Sequence, residues 1–293
     1  MEGREPRDGL LYGIGAYTAW GFAPLYFRAL SHVPSWLVVC HRIVWSVLFL
    51  VAIVALRREW SRIWPVVRQR RSLLLLGTGA VLIAINWLIF IYAVGSGRVL
   101  QASLGYFINP LFSVLLGMLF LGERLRGWQW GAVMIALAAV GNLVLRGSEP
   151  PWIAVSLAIS FGLYGLVRKK VNLPSLHGLL IESTLLFPLA LLVIGSKGAG
   201  HSLGTWVLLS LSGVVTAVPL LMFGAAVRRL KLSTLGFLQY IGPSLQFLVA
   251  LGLRESLDRA KLASFVLCWI AIGVYVADSV LKRQPPALVD EPD

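Results

Sequence analysis

The stretch Ser103-Leu104-Gly105-Tyr106-Phe107-Ile108-Asn109-Pro110 recurs in the second half of the chain as Thr234-Leu235-Gly236 followed by Ile241-Gly242-Pro243, with the inner spacing changed by two residues. Two further pieces repeat in the same order. Trp20-Gly21-Phe22 is echoed by Phe161-Gly162-Leu163, and Pro34-Ser35 by Pro174-Ser175. The offsets stay between 131 and 141 residues. A shared order at a nearly constant offset points to two copies of one unit.

The repeat lies in a chain built for lipid. Its 293 residues are 58% apolar and 13% charged, with a mean hydropathy of +0.80, and the charged share is about half that of a water-soluble domain. Apolar runs bounded by charge, Gly and Pro give candidate spans at 9–30, 35–56, 73–94, 99–121, 128–145, 151–167, 175–195, 205–227, 232–253 and 261–281. They read as helices, because a lone strand would leave its backbone unpaired in hydrocarbon. Ten spans of about 20 residues leave roughly 90 for loops and tails, too few for a separate globular domain. The composition excludes a secreted enzyme and a nuclear factor. The first run lacks a small-x-small cleavage site and is expected to stay as a span.

Ten spans in two copies make five per copy, and an odd number sends the second copy into the membrane from the opposite face. The expected fold is therefore an all-α polytopic membrane protein, a 5+5 inverted repeat in one transmembrane domain. Its halves are 9–145 and 151–281, with tails at 1–8 and 282–293. Two like bundles in unlike surroundings can exchange conformations around a site near the midplane, which is the geometry of alternating access.

The formal charge of +13 would suggest nucleic acid in a soluble protein, but here the cations are scattered through short loops. With the N-terminus inside, 18 of the 26 Lys and Arg fall on the cytoplasmic face and six on the other, with Arg28 and Arg42 left in spans. That bias sets both tails in the cytoplasm and leaves no case for nucleic acid. Trp36, Trp60, Trp64, Trp128, Trp130, Trp152 and Trp206 sit near span ends, where an indole keeps its N–H wet. The stretch Arg57 to Arg71 carries six Arg around Trp60 and Trp64. It reads either as a short interfacial helix or, more simply, as a signal for topology.

Polar groups inside spans need a partner, a cavity or a route to water. Arg28 and Asp278 lie near span ends and are expected to reach water. Arg42 and Glu182 each stand eight residues after their Pro-Ser pair, so the repeat puts opposite charges at equivalent positions and matching depths. Glu182 is a candidate for proton coupling, with Arg42 holding an anionic group or biasing the glutamate; a structural ion pair is the competing reading. Pro110 and Pro243 are expected to break helices at matching places and free their carbonyls. Spans four and nine are the most polar, which makes Gln101, Tyr106, Asn109, Gln239 and Tyr240 candidates for cavity walls. Tyr17, Trp20, Asn86 and Trp87 add an amide and aromatic faces. Each of these could equally be helix-packing glue. Cys40 and Cys268 read as small core residues, and His32, His41, His177 and His201 show no metal spacing, so neither metal nor cofactor is expected.

Several strings resemble a known family. Ala102 to Pro110, Leu121-Gly-Glu-Arg124, Ser160-Phe-Gly-Leu-Tyr-Gly-Leu-Val-Arg-Lys-Lys170 and Leu232 to Pro243, with His41-Arg42 and Asn86-Trp87, resemble the RarD branch of the EamA-type drug/metabolite transporter (DMT) superfamily. The likeness runs from about Gly9 to Val280. It implies a ten-helix permease of the bacterial inner membrane, with a central cavity walled chiefly by helices 1, 3, 4, 6, 8 and 9. Arg42 and Glu182, on the second and seventh spans, would stand off the main walls. Relatives in the superfamily export amino acids, drugs and other small metabolites.

The expected function is a secondary-active transporter of a small metabolite or drug, with proton coupling as a hypothesis. The expected partners are an unknown small-molecule substrate and membrane lipid, and self-association into a homo-oligomer is compatible with the sequence. No phosphate loop for ATP is present, and no HExxH, GxSxG or paired intramembrane Asp argues for an enzyme. A small-solute channel is the main alternative, and an intramembrane enzyme the weaker one.

Overall fold

A backbone surrounded by side chains and lipid must satisfy its own N–H and C=O groups, and an α-helix does so within one segment. The computed structural model describes residues 4–121, 127–146, 150–171, 173–197, 200–227, 229 and 238–281. Among them are eleven helices and no strand: α1 (Arg4–Ala29), α2 (Ser35–Arg57), α3 (Trp60–Val67), α4 (Arg70–Gly95), α5 (Val99–Leu121), α6 (Gly127–Arg146), α7 (Trp152–Val171), α8 (Ser175–Lys197), α9 (Leu203–Val227), α10 (Ile241–Gly252) and α11 (Arg259–Leu281).

Ten of these fall on the apolar runs, and α3 is the Arg-rich stretch. It buries Ile63 and leaves Trp60 and Trp64 exposed, resting on α4 and α8. Among the described residues four helical stretches, Ser35–Arg57, Arg70–Gly95, Leu176–Lys197 and Leu203–Phe223, are long and apolar enough to cross a membrane. Large apolar side chains cover the outside, and several polar and charged ones are buried within an otherwise apolar core. Leu56, Leu145 and Leu203 are more than four-fifths exposed, while Arg42, Asn86, Ser103, Glu182, Thr216 and Gln246 are buried. Lipid favours that arrangement and water penalises it.

The helices pack largely across the two halves of the chain: α1 on α9 and α10, α2 on α8 and α9, α4 on α7 and α8, α5 on α7 and α10, and α6 on α11. Polar contacts set directions. His177, near the start of α8, lies 3.0 Å from the carboxylate of Glu59, just past the end of α2. Near the end of α6, Asn142 donates to the Ala260 carbonyl at 2.8 Å and to Ser264 Oγ at 2.9 Å, both near the start of α11. Both pairs are therefore antiparallel. Glycine permits the closest approaches. A β-carbon on Gly105 of α5 would lie 2.7 Å from the Ala154 carbonyl oxygen of α7, and one on Gly213 of α9 would lie 2.4 Å from the Trp45 carbonyl carbon of α2.

Of the two prolines expected to break a helix, Pro110 does not, whereas the ninth apolar run is interrupted by a turn just ahead of Pro243. Helix α5 runs through Pro110 to Leu121, so the missing N–H costs one bond within a helix that its neighbours hold in place. Pro243 falls in the first turn of α10, after a turn at Gln239 and Tyr240. N–H groups there have no intrahelical acceptor, so proline is tolerated at a helix start. The Pro243 carbonyl instead accepts a hydrogen bond from Ser103 Oγ at 2.7 Å.

The start of α5 is capped by a distant residue. Val99 and Leu100 donate their N–H groups to the two carboxylate oxygens of Glu255, at 2.6 and 2.8 Å. Glu255 stands in the turn between α10 and α11, after Arg254 at a φ of 59°. Burial pushes its carboxyl above the usual glutamate range, against the pull of the two N–H donors. A carboxyl whose folded-state pKa is raised binds its proton more tightly in the folded protein. Its stabilising contribution is complete below the unfolded value, about 4.3, and is lost as pH rises through the folded value. Glu255→Gln should flatten the pH dependence of thermal stability on that acidic flank, which melting curves across pH would read.

Candidate substrate site

Arg42 sits on the second turn of α2, seven residues past Ser35. Its guanidinium lies 4.0 Å from the centre of the Trp87 ring on α4 and 5.4 Å from that of Phe27 on α1. The hydroxyls of Tyr26 and Tyr106 are its electrostatic neighbours, and its buried Nε has no hydrogen-bond partner. Among the described residues, no carboxylate comes within ion-pairing distance of it. Of the residues singled out from the sequence, the structure thus brings Arg42, Trp87, Tyr106 and Asn86 together. The Asn86 amide donates to the Leu157 carbonyl at 3.2 Å and to Ser160 Oγ at 3.0 Å, and accepts from Tyr106 Oη at 3.3 Å. It ties α4, α5 and α7 together, as the packing reading of such amides describes.

Glu182 lies elsewhere. It stands seven residues into α8 and is buried, accepting a hydrogen bond from Tyr164 Oη at 3.0 Å with Arg168 Nη1 3.6 Å away. Gly79 of α4 leaves room for it, since a β-carbon there would lie 2.9 Å from Glu182 Oε1. The structure does not join Arg42 to Glu182, because α2 and α8 run antiparallel. Seven residues advance a helix by about 10 Å, so each charge stays near the start of its own helix, toward opposite ends of the bundle. The partner of Glu182 is Arg168, which lies one residue beyond the apolar run 151–167. Helix α7 continues to Val171, because a long basic side chain can be carried on a helix while its stem packs. Tyr164 and Arg168 are four residues apart in a helical run, and that same-face spacing was the available signal.

The remaining candidates form two further groups. Tyr17 and Trp20 of α1 meet Phe223 of α9 at 6.0 and 5.8 Å between ring centres, and the Trp20 carbonyl accepts from Gln246 Nε2 at 3.2 Å. Tyr17 is buried and Trp20 partly so. On α5, Gln101 and Asn109 are buried, and the Asn109 Oδ1 has no hydrogen-bond partner. Tyr240 is half-buried and stacks on Phe107 at 6.4 Å between ring centres. Gln239 beside it is half-buried as well. The Asp278 side chain lies outside the described residues.

Aromatic rings link the groups around Arg42 and Glu182. Phe27 meets Phe90 at 6.0 Å, Phe90 meets Tyr106 at 5.9 Å, Tyr106 meets Phe161 at 6.2 Å, and Phe161 meets Tyr164 at 6.0 Å. A cation on one end and a carboxylate on the other thus border a ring-lined seam between the halves. Long apolar helices with exposed apolar faces, enclosing a few buried charged and amide groups, are the features of a multi-pass membrane protein.

Comparison with known proteins narrows the class. The model of the EamA-like transporter family matches residues 7–145. The chain is 42% identical to protein RarD of Escherichia coli K12 over 292 residues, covering 97% of this chain and 99% of that one. An uncharacterized transporter of Vibrio cholerae is 45% identical over 286 residues, 94% of each chain. The chloramphenicol-sensitive protein RarD of Pseudomonas aeruginosa is 31% identical over 289 residues, 94% of this chain and 97% of that one. A solved crystal structure shares the fold at a TM-score of 0.62 and 20% identity, over 94% of this chain and 99% of its own. The chain belongs to the RarD-type branch of the EamA drug/metabolite transporter family, and is a membrane transporter of that type.

Proposed function

We propose that the chain is a secondary-active permease of the bacterial inner membrane, moving a small amphipathic metabolite or drug by alternating access between two inverted five-helix halves. Ten helices cross the membrane, with both tails in the cytoplasm. The observation that carries this reading is the symmetry of the helix pairings. Exchanging α1, α2, α4, α5 and α6 for α7, α8, α9, α10 and α11 turns α1·α9 into α7·α4, α1·α10 into α7·α5, and α2·α9 into α8·α4. It returns α2·α8, α5·α10 and α6·α11 to themselves. The glycines of the repeat obey the same exchange. A β-carbon on Gly21 of α1 would meet Leu245 of α10 at 2.6 Å, and one on Gly162 of α7 would meet Phe112 of α5 at 2.6 Å. Equivalent bundles with swapped partners are what alternating access requires.

In this reading Glu182 exchanges a proton and shares its charge between Arg168 and the Tyr164 hydroxyl. The solute is to be found by thermal shift on the purified protein, beginning with chloramphenicol because of the name carried by the Pseudomonas relative. Flux of the solute so found is then measured in proteoliposomes with and without a pH gradient. The expected result is flux driven by the gradient, reduced about ten-fold or more in Glu182→Gln. Full gradient-driven flux in that variant would remove Glu182 from coupling. A C-terminal tag accessible from outside sealed cells would overturn the topology.

A further inference from the structure

We propose that Arg42 is the receptor for the carboxylate of the transported solute, which makes the substrate class small organic carboxylates with an aromatic or apolar body. The inference rests on the transport reading and adds a binding subsite to it. Arg42 is only 8% exposed, and a guanidinium does not give up its proton in a protein, so a full positive charge stands inside the bundle. A buried charge is normally matched by an opposite one. Here its surroundings are the faces of Trp87 and Phe27 and the oxygens of two tyrosines.

Both tyrosine hydroxyl protons are already committed, that of Tyr26 to the Leu208 carbonyl and that of Tyr106 to the Asn86 amide oxygen. Their oxygens partly screen the guanidinium without neutralising it. Nε stays buried without a partner, although a guanidinium edge presents Nε–H and Nη–H in the fork that grips a carboxylate by two parallel bonds. Ring faces hold the guanidinium plane by cation–π attraction and leave that edge to a ligand. The aromatic surface continues from Phe27 through Phe90 to Tyr106, a dry wall for the body of the solute. A lysine in the same place could attract an anion but could not reproduce the fork.

The test is binding to the purified full chain in detergent, by thermal shift and calorimetry. The probes are benzoate, 3-phenylpropanoate and indole-3-acetate, each beside its amide and its amine. At least one carboxylate is expected to raise the melting temperature while its amide and amine do not. Arg42→Lys should weaken that binding about ten-fold or more, and Arg42→Met should abolish it. The melting temperature of ligand-free Arg42→Met should equal or exceed that of the parent, since an uncompensated charge has been removed. Failure of all three carboxylates to bind, equal binding of an amide, or a clear fall in the melting temperature of ligand-free Arg42→Met would overturn the proposal. Flux does not enter this measurement. A protein that fails here yet transports a solute in proteoliposomes loses the anion subsite and keeps the permease reading.

Discussion

Gly213→Val is expected to leave little folded protein, whereas Gly195→Ala keeps the full yield and melts at the same temperature or slightly higher. At position 213 a β-carbon would lie 2.4 Å from the carbonyl carbon of Trp45, 2.5 Å from its oxygen and 2.8 Å from the amide nitrogen of Ser46. These are backbone atoms of α2, which cannot rotate away as the tip of a side chain can. Overpacking that neighbours can absorb costs about 1–3 kcal/mol. Here two whole helices must separate, breaking a contact between the halves, so the loss should be at least about 3 kcal/mol. Gly195 of α8 has no atom within 4 Å of the corresponding point, and alanine is the better helix former by up to about 1 kcal/mol. Chromatographic yield and melting temperature read both variants. A folded, parent-like Gly213→Val would mean that α2 and α9 do not approach as closely as described.

The second large effect concerns the buried pair on α7 and α8. Glu182→Ala removes the carboxylate that faces Arg168, whose side chain is 15% exposed, and leaves a largely desolvated cation. Breaking such a pair by deleting one partner costs about 3–5 kcal/mol. Glu182→Gln should cost less, because its amide oxygen still accepts from Tyr164. The double variant Glu182→Gln with Arg168→Met should recover most of the loss, since no buried charge remains while the volume is kept. Unfolding in mixed micelles measures these three and the single variant Arg168→Met, which completes the cycle. Additive losses in the double variant would mean that the two side chains act independently, and the 3.6 Å contact would carry no coupling.

The close glycine approaches and the buried pair are each legible in the sequence only in part. The close approach at Gly105 falls within the repeated string Ser103-Leu104-Gly105, and Gly21 and Gly162 are the matched glycines of Trp20-Gly21-Phe22 and Phe161-Gly162-Leu163. A repeat that keeps glycine at equivalent positions points to helix contacts there, although not to which helix comes close. The charge on Glu182 is equally visible in its apolar run. Its partner is not, because Arg168 follows the apolar run 151–167 and stands in sequence with the basic residues of a loop. A charge at a helix end looks the same in one dimension whether it meets water or a buried acid.

The aromatic setting of Arg42 shows the same boundary. Trp87 was singled out as an aromatic face and Arg42 as an anion holder, yet nothing in their separate runs joins them or adds Phe27 and Tyr26. That assembly depends on how α1, α2 and α4 turn about their axes once packed. The low sequence contrast between faces of uniformly apolar helices gives little guidance to that rotation.

The apolar runs, their helical form and the charge bias of the loops between them were local properties, written in runs of about 20 apolar residues and in the charges that bound them. They follow from the energy of putting one segment at a time into lipid. Which buried charge faces which neighbour was decided only by tertiary packing. Antiparallel α2 and α8 send Arg42 and Glu182 toward opposite ends of the bundle, one among rings and the other beside Arg168. Pairing between helices depends on direction, crossing and rotation, and these are fixed by the whole bundle at once.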